Sequence, residues 1–313
     1  MTVSEAGEFG LIARVVARLP QGPATLLGPG DDAAVVLAPD GRVVASTDLL
    51  LEGRHFRRDW SSGYDVGRKA AAANLADIAA MGAVPTSLLV GLACPPDLPL
   101  EWADALTDGL REECALVGAS VVGGDISRAD SVVVAVTALG DLQGRPPVTR
   151  AGARAGDIVA VAGRLGWAQA GYAVLSRGFR SPRALVVAHR RPEPPYAAGP
   201  TAAFLGATAM CDVSDGLLAD VGRIATASGV SVDLRRDAFT VTRQMADAAQ
   251  ALGRDPWEWV LTGGEDHALV ATFPPTVVPG EGWTIVGAVH EGTGVTVDGA
   301  QWEGPAGHDH FAR

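Results

Sequence analysis

Basic residues are in short supply. The chain has 25 Lys and Arg against 36 Asp and Glu, a formal net charge of −11 and a pI of about 5.0. A nucleic-acid or anionic-membrane surface needs a basic patch, so neither partner is expected. Phosphate ligands stay open to an acidic protein when metal ions bridge the like charges. Cysteine is scarcer still: only Cys94, Cys114 and Cys211. None stands in a C-x-x-C pair, so neither a zinc knuckle nor a disulfide framework is expected, and a reducing cytoplasm fits best. No stretch is long and apolar enough to span a membrane, and MTVSEAGEFGLIARVVARLP lacks a signal-peptide pattern. The usual nucleotide signatures are missing too. There is no G-x-x-x-x-G-K-[ST], no G-x-G-x-x-G after a first strand, and no kinase catalytic loop with D-F-G.

What is present is a long, apolar chain. Its 313 residues, 48% of them hydrophobic, are enough for two domains with large cores. Phe9, Ile12, Val15, Val16 and Leu19 recur at helical spacing and predict an amphipathic N-terminal helix. Alternating, β-branched Arg42 to Thr47 predicts a strand. YDVGRKAAAANLADIAAMGAVP predicts an Ala-rich helix ended by Gly82 and Pro85. EWADALTDGLREECALVG predicts another, and ASVVGGDISRADSVVVAVTALG a strand, a Gly-rich turn and a strand. The Gly-, Pro- and Arg-rich segment 141–157 is the best boundary, giving α/β domains at 1–140 and 150–313. In the second, DIVAVAG and ALVATF predict strands. A helix is expected from Trp167 and another over DGLLADVGRIATASG, with a loop at RRPEPPYAAGP and a turn at TGGEDH.

The acids sit where elements end. Asp31 and Asp32 follow Gly28 and Gly30, Asp48 closes a buried-looking strand, and Asp125 follows two glycines in a turn. Asn74 and Asp77 share one helix face, Asp212 and Asp215 begin a helix, and Glu265 and Asp266 occupy a turn. Each has a bland alternative. Asp215 beside Ser214 reads as a helix cap or first-turn acid, and Asp125 as turn chemistry. Asp77 resists this, because an acid in a helix of Ala, Leu, Ile and Met needs a partner or water. A shared oxygen-ligand site for Mg²⁺ explains the set with one cause. No His or Cys cluster competes for a softer metal. Hard cations on carboxylates point to a nucleotide, with Arg54, His55, Arg128 and Arg150 as scattered phosphate-binding cations.

In order along the chain stand GEFGLIAR, GPGDDAAV, STDLLLEGRHF, NLADIAAMGAVP, GGDISR, DVSDGLLADVGRIA, TGGEDH and HDHF. The set, from residue 7 to 311, resembles the thiamine-monophosphate kinase family, within the ATP-using superfamily that includes aminoimidazole ribonucleotide synthetase. The resemblance implies a two-domain α/β (α+β) fold whose N-terminal sheet forms a homodimer. It implies transfer of the γ-phosphoryl of ATP to thiamine phosphate, directly and in line, with several Mg²⁺ and no covalent nucleophile. By position, Asp32 rather than Asp31, Ser46, Thr47, Asp48, Asp77, Asp125, Asp212 and Asp215 resemble the metal ligands. Arg150, Ser214 and Gly124 resemble ATP contacts, and His55 and Glu265 substrate contacts. Two positions depart from the pattern: Ala76 where Ser is usual, and His308 where a large aromatic is usual, with Trp302 as the alternative ring. The selenophosphate-making and hydrogenase-maturing branches rely on a reactive Cys near the N-terminus or at the C-terminus. Here Cys94 comes first and the sequence reads HDHFAR at its end. A purine-pathway synthetase or a non-catalytic cation- or nucleotide-binding protein are the remaining alternatives.

Overall fold

The computed structural model describes residues 1–29 and 33–308, so Asp31, Asp32 and the end of the HDHF motif lie outside the described residues. The chain divides into two compact units, one of residues 1–78 and 83–144, the other of 79–82 and 145–313.

The first unit opens with α1 (Val3–Val16), capped by Thr2 and Glu5 in a reciprocal capping box. Gly7 interrupts the helix at φ 69°, ψ 169°. Phe9 stands 81% exposed, and the residue buried against Leu100 and Ala103 is Leu11, with Val15 partly buried beside it. The face expected from Phe9 is thus corrected. A small ribbon follows, β1 (Thr25–Leu27) with β2 (Val35–Val36). Then come β3 (Val44–Leu51), α2 (Gly63–Ala80), β4 (Val84–Cys94), α3 (Leu100–Ala115), β5 (Ser120–Arg128) and β6 (Val133–Asp141). The sheet order is β3-β6-β4-β5, with only the β4–β5 pair parallel. Its inner residues Leu88, Val134, Val136 and Ala138 are buried, as are Leu75, Ile78 and Ala79 of α2. Helices α2 and α3 touch through glycine: a Cβ on Gly67 would lie 2.1 Å from the Leu106 carbonyl oxygen.

The second unit runs β7 (Ile158–Ala162), α4 (Trp167–Ser176), α5 (Arg183–Arg190), α6 (Ala198–Leu205), β8 (Ala209–Val213), α7 (Leu217–Ser228) and β9 (Ser231–Leu234). A 3-10 turn at Arg236–Ala238 leads to α8 (Arg243–Leu252), α9 (Pro256–Thr262), β10 (Ala268–Phe273), β11 (Trp283–His290) and β12 (Gly294–Val297). Six strands lie in the order β12-β9-β11-β7-β10-β8. Val161, Cys211, Val213 and Val270 pack on α7 residues such as Val221 and Ile224. Ala160, Met210, Ala271 and Phe273 pack on Ala202 of α6. Apolar residues on both faces explain why β7 and β10 read as near-continuous hydrophobic runs. The loop expected at RRPEPPYAAGP is shorter than its motif, because Ala198, Gly199 and Pro200 already belong to α6. Gly199 lies so close to the Ala79 carbonyl that a Cβ would meet it at 1.9 Å.

Candidate active site

In the first unit the acids leave the sheet at two places. Asp48 is mid-strand in β3, not at its end, and is exposed rather than buried. Eight residues of β3 find partners on β6, and this pairing carries the strand past Asp48. The Asp48 N–H donates to the Asn74 side-chain oxygen at 3.0 Å, and the Ser46 hydroxyl donates to Asp77 at 2.6 Å. Ser46 and Asp48 on β3 thus meet Asn74 and Asp77 on α2. Half-buried Asp77 has the hydroxyl partner its apolar helix demands. The Thr47 hydroxyl donates to the Val136 carbonyl at 2.9 Å.

Asp125 is not in a turn. It lies inside β5, with its neighbour Gly124 so close to β4 that a Cβ would sit 1.9 Å from the Val90 oxygen. The glycines of GGD serve strand contact rather than a bend. Across the sheet Asp125 is in register with Gly91, Ala135 and Leu49, and Asp48 with Val136, Val90 and Gly124. Successive residues point to opposite faces. Asp48 and Asp125 therefore leave the sheet on opposite sides, three strand spacings or roughly 14 Å apart. Among the described residues no three His, Cys, Asp or Glu side chains gather as a metal-binding group. The single cluster expected from the sequence is not assembled by these residues, and Asp32 lies outside them.

His55 is held in the turn after β3, where its Nδ1 accepts the Leu51 N–H at 3.0 Å, leaving Nε2 as the donor of the neutral ring. Gly124, Arg128 and Arg150 are exposed. A cavity of about 250 Å³ between residues 19–23 and 118–121 is lined by none of these acids.

The second unit gathers its residues around one loop, 212–216. Asp212 is not at a helix start but on β8, buried, with Oδ2 3.0 Å from His267 Nδ1. Asp215 does not cap α7. Its carboxylate accepts from Arg223 at 2.5 Å, and the cap is Gly216. The residue that closes the loop is Asp220, which motif reading missed: one oxygen accepts the N–H groups of Ser214, Asp215 and Gly216 at 3.1, 3.1 and 3.2 Å. Its other oxygen pairs with Arg223. Burial, then the nearby Asp212 charge, push the Asp220 pKa up to about 6, against the pull of Arg223 and the N–H groups. An acid four residues after SDG was the available signal.

The loop's carbonyls face two other segments. Ser214 accepts the Glu265 N–H at 2.8 Å, Val213 the His267 N–H at 3.1 Å, and Asp215 the His308 N–H at 2.8 Å. Glu265 and His267 hold left-handed backbones, φ 67° and 52°, a conformation uncommon outside glycine and sustained only by surrounding contacts. The Glu265 carboxylate lies 3.5 Å from His189 Nδ1. Asp266 is buried and accepts the Ala168 N–H at the start of α4 at 2.8 Å. Burial pushes its pKa up to about 7. The side chain of His308 is exposed, while Trp302 packs partly on the core beneath α7. All three cysteines are free and buried, and burial raises each thiol's pKa, so none supplies a reactive thiolate.

Both units are α/β, the first with oxygen donors on β3, α2 and β5 and the second with a clamped acidic loop after β8. Residues 30–142 match the model of the AIR synthase related protein N-terminal domain. The chain is 52% identical to the thiamine-monophosphate kinase of Mycobacterium tuberculosis (strain CDC 1551 / Oshkosh), over 99% of this chain and 93% of the relative. The thiamine-monophosphate kinase structure from Stenotrophomonas maltophilia K279a superposes with a TM-score of 0.81 at 31% identity, covering 93% of this chain and 96% of that one. A structure of AaThiL complexed with AMPPCP and TMP gives 0.79 at 31%, covering 99% of both. This chain belongs to the thiamine-monophosphate kinase family, and it is a kinase.

Proposed function

We propose that this chain transfers the γ-phosphoryl of ATP to thiamine phosphate, releasing thiamine diphosphate and ADP. The observation that carries the reading is the likeness, over 99% of both chains, to a protein complexed with AMPPCP and TMP. The residues fit divalent metal by donor chemistry: Ser46, Thr47, Asp48, Asp77 and Asp125 offer only oxygens, suited to Mg²⁺. They, with Asp32, would hold the ions, and Asp212 and Asp215 would do so in the second unit. When bound, several Mg²⁺ would neutralise the phosphate charge and align the in-line transfer.

The chain's own residues position the reactants. Arg150, Ser214 and Gly124 contact ATP, and His55, Glu265 and His308 contact thiamine phosphate. The left-handed backbone of Glu265, tied to Ser214, aims its carboxylate from a rigid turn. All three cysteines are buried, which supports direct transfer with no thiol nucleophile. The domains act as 1–140 and 150–313, in a cytoplasmic homodimer. The dimer reading is supported by the open face of the first sheet, where Leu49 is 55% and Leu89 38% exposed.

A coupled ADP-release assay with Mg²⁺ tests the function. ADP should form only when thiamine phosphate is added, and equal ADP release without it would sink the reading. With γ-labelled ATP alone, denatured protein should carry no label; stoichiometric label would overturn direct transfer.

A further inference from the structure

We infer that Asp220 is a positioning residue for the phosphoryl transfer, shaping the loop that carries Ser214 and Asp215; this rests on the function proposed above. Three consecutive N–H groups converge on one of its oxygens. That is possible only if the backbone curls around the carboxylate. Gly216 permits the curl, at φ 127° and with a Cβ position 2.5 Å from the Thr262 oxygen, where no side chain fits. With the N–H groups turned inward, the carbonyls of Val213, Ser214 and Asp215 hold His267, Glu265 and His308. The outer oxygen of Asp220 fixes Arg223, and Arg223 in turn holds the Asp215 carboxylate. One carboxylate, 1% exposed, thereby ties the proposed ATP contact Ser214 to both proposed thiamine-phosphate contacts on this unit. It touches no substrate itself. An ordinary stabilising acid would affect only how much protein folds. A positioning acid changes what each folded molecule does.

The test uses the full chain with Asp220→Ala and Asp220→Asn. Asn keeps an oxygen for the N–H groups but loses the charge that holds Arg223. Per folded molecule, Asp220→Ala should lower kcat/KM roughly 100-fold, the scale of an ångström-sized misplacement. Both KM values should rise, and Asp220→Asn should fall between Ala and wild type, keeping part of the loss because Arg223 is no longer held. Hydrogen exchange at the amides of Ser214, Asp215 and Gly216 should speed up in Ala and much less in Asn. Unchanged kcat/KM in folded Asp220→Ala overturns the role. If Ala does not fold, wild-type kinetics in Asp220→Asn overturns it. A wild-type chain that releases no ADP with thiamine phosphate overturns the substrate reading instead. In that case unchanged amide exchange in the variants overturns the positioning role.

Discussion

The described candidate acids of the first unit stand near water, whereas three acids around the loop of the second are buried and locked in. Asp48 and Asp125 are exposed and Asp77 half-buried, and hydroxyls of Ser46 and Ser127 donate to Asp77 and Asp125. Asp212, Asp220 and Asp266 are buried, facing His267, Arg223 with three N–H groups, and the start of α4. The difference follows from solvation. A carboxylate near water keeps its charge and can trade a light hydroxyl partner for a cation. A buried one survives only against a fixed partner. This exposure supports the metal role proposed for the first set, whereas Asp220 in the second set holds a loop in one shape.

The largest effect should come from the first region. Asp77→Asn or Asp48→Asn should cut kcat/KM at least ~100-fold, about 2.7 kcal/mol. The melting temperature without Mg²⁺ should hold or rise as like charges are relieved. Near-normal activity, or loss of the fold, would break the comparison. In the second region the cost should fall on stability. His267→Ala leaves Asp212 buried without its ring partner, and urea unfolding should show a loss of roughly 2–4 kcal/mol. A variant as stable as wild type would mean that Asp212 is not locked.

Asp266 sharpens the contrast through pH. Its folded pKa of about 7 lies above the ordinary 3.8, so folding favours the neutral form. That contribution is fully present below the ordinary value and is lost as pH rises to about 7. Between them the slope is at most ~1.4 kcal/mol per pH unit. Asp266→Asn, neutral throughout, should gain on wild type in urea unfolding from pH 5 to pH 7. A constant difference would show that burial does not hold the proton. The smallest effect concerns His308, fixed by its backbone to Asp215. His308→Trp should lower the thiamine-phosphate KM and His308→Ala raise it, by about 2- to 12-fold for an aromatic contact of roughly 0.5–1.5 kcal/mol. The ATP KM should stay flat. If neither variant moves the substrate KM and Trp302→Ala raises it, the ring is Trp302.

Local pattern was enough for much of this. The Ala-rich run over Gly63–Ala80 is helical because its residues are good helix formers, and the runs at 158–162 and 268–273 are strands because apolar side chains bury on both faces. The ordered motifs also carried the family, since each acid keeps its place in a short string of neighbours. Tertiary structure decided what those strings could not encode. Gly124 reads as a turn residue, and only the nearness of the Val90 carbonyl shows that it lets two strands touch, which puts Asp125 inside β5. Strand order and register, set by pairing between distant segments, place Asp48 and Asp125 on opposite sides of the sheet. Asp220 looks like one more helix acid until the chain folds back and brings three N–H groups to a single oxygen. Helices answer to neighbours three and four residues away, whereas register and loop closure answer to partners that no local window contains.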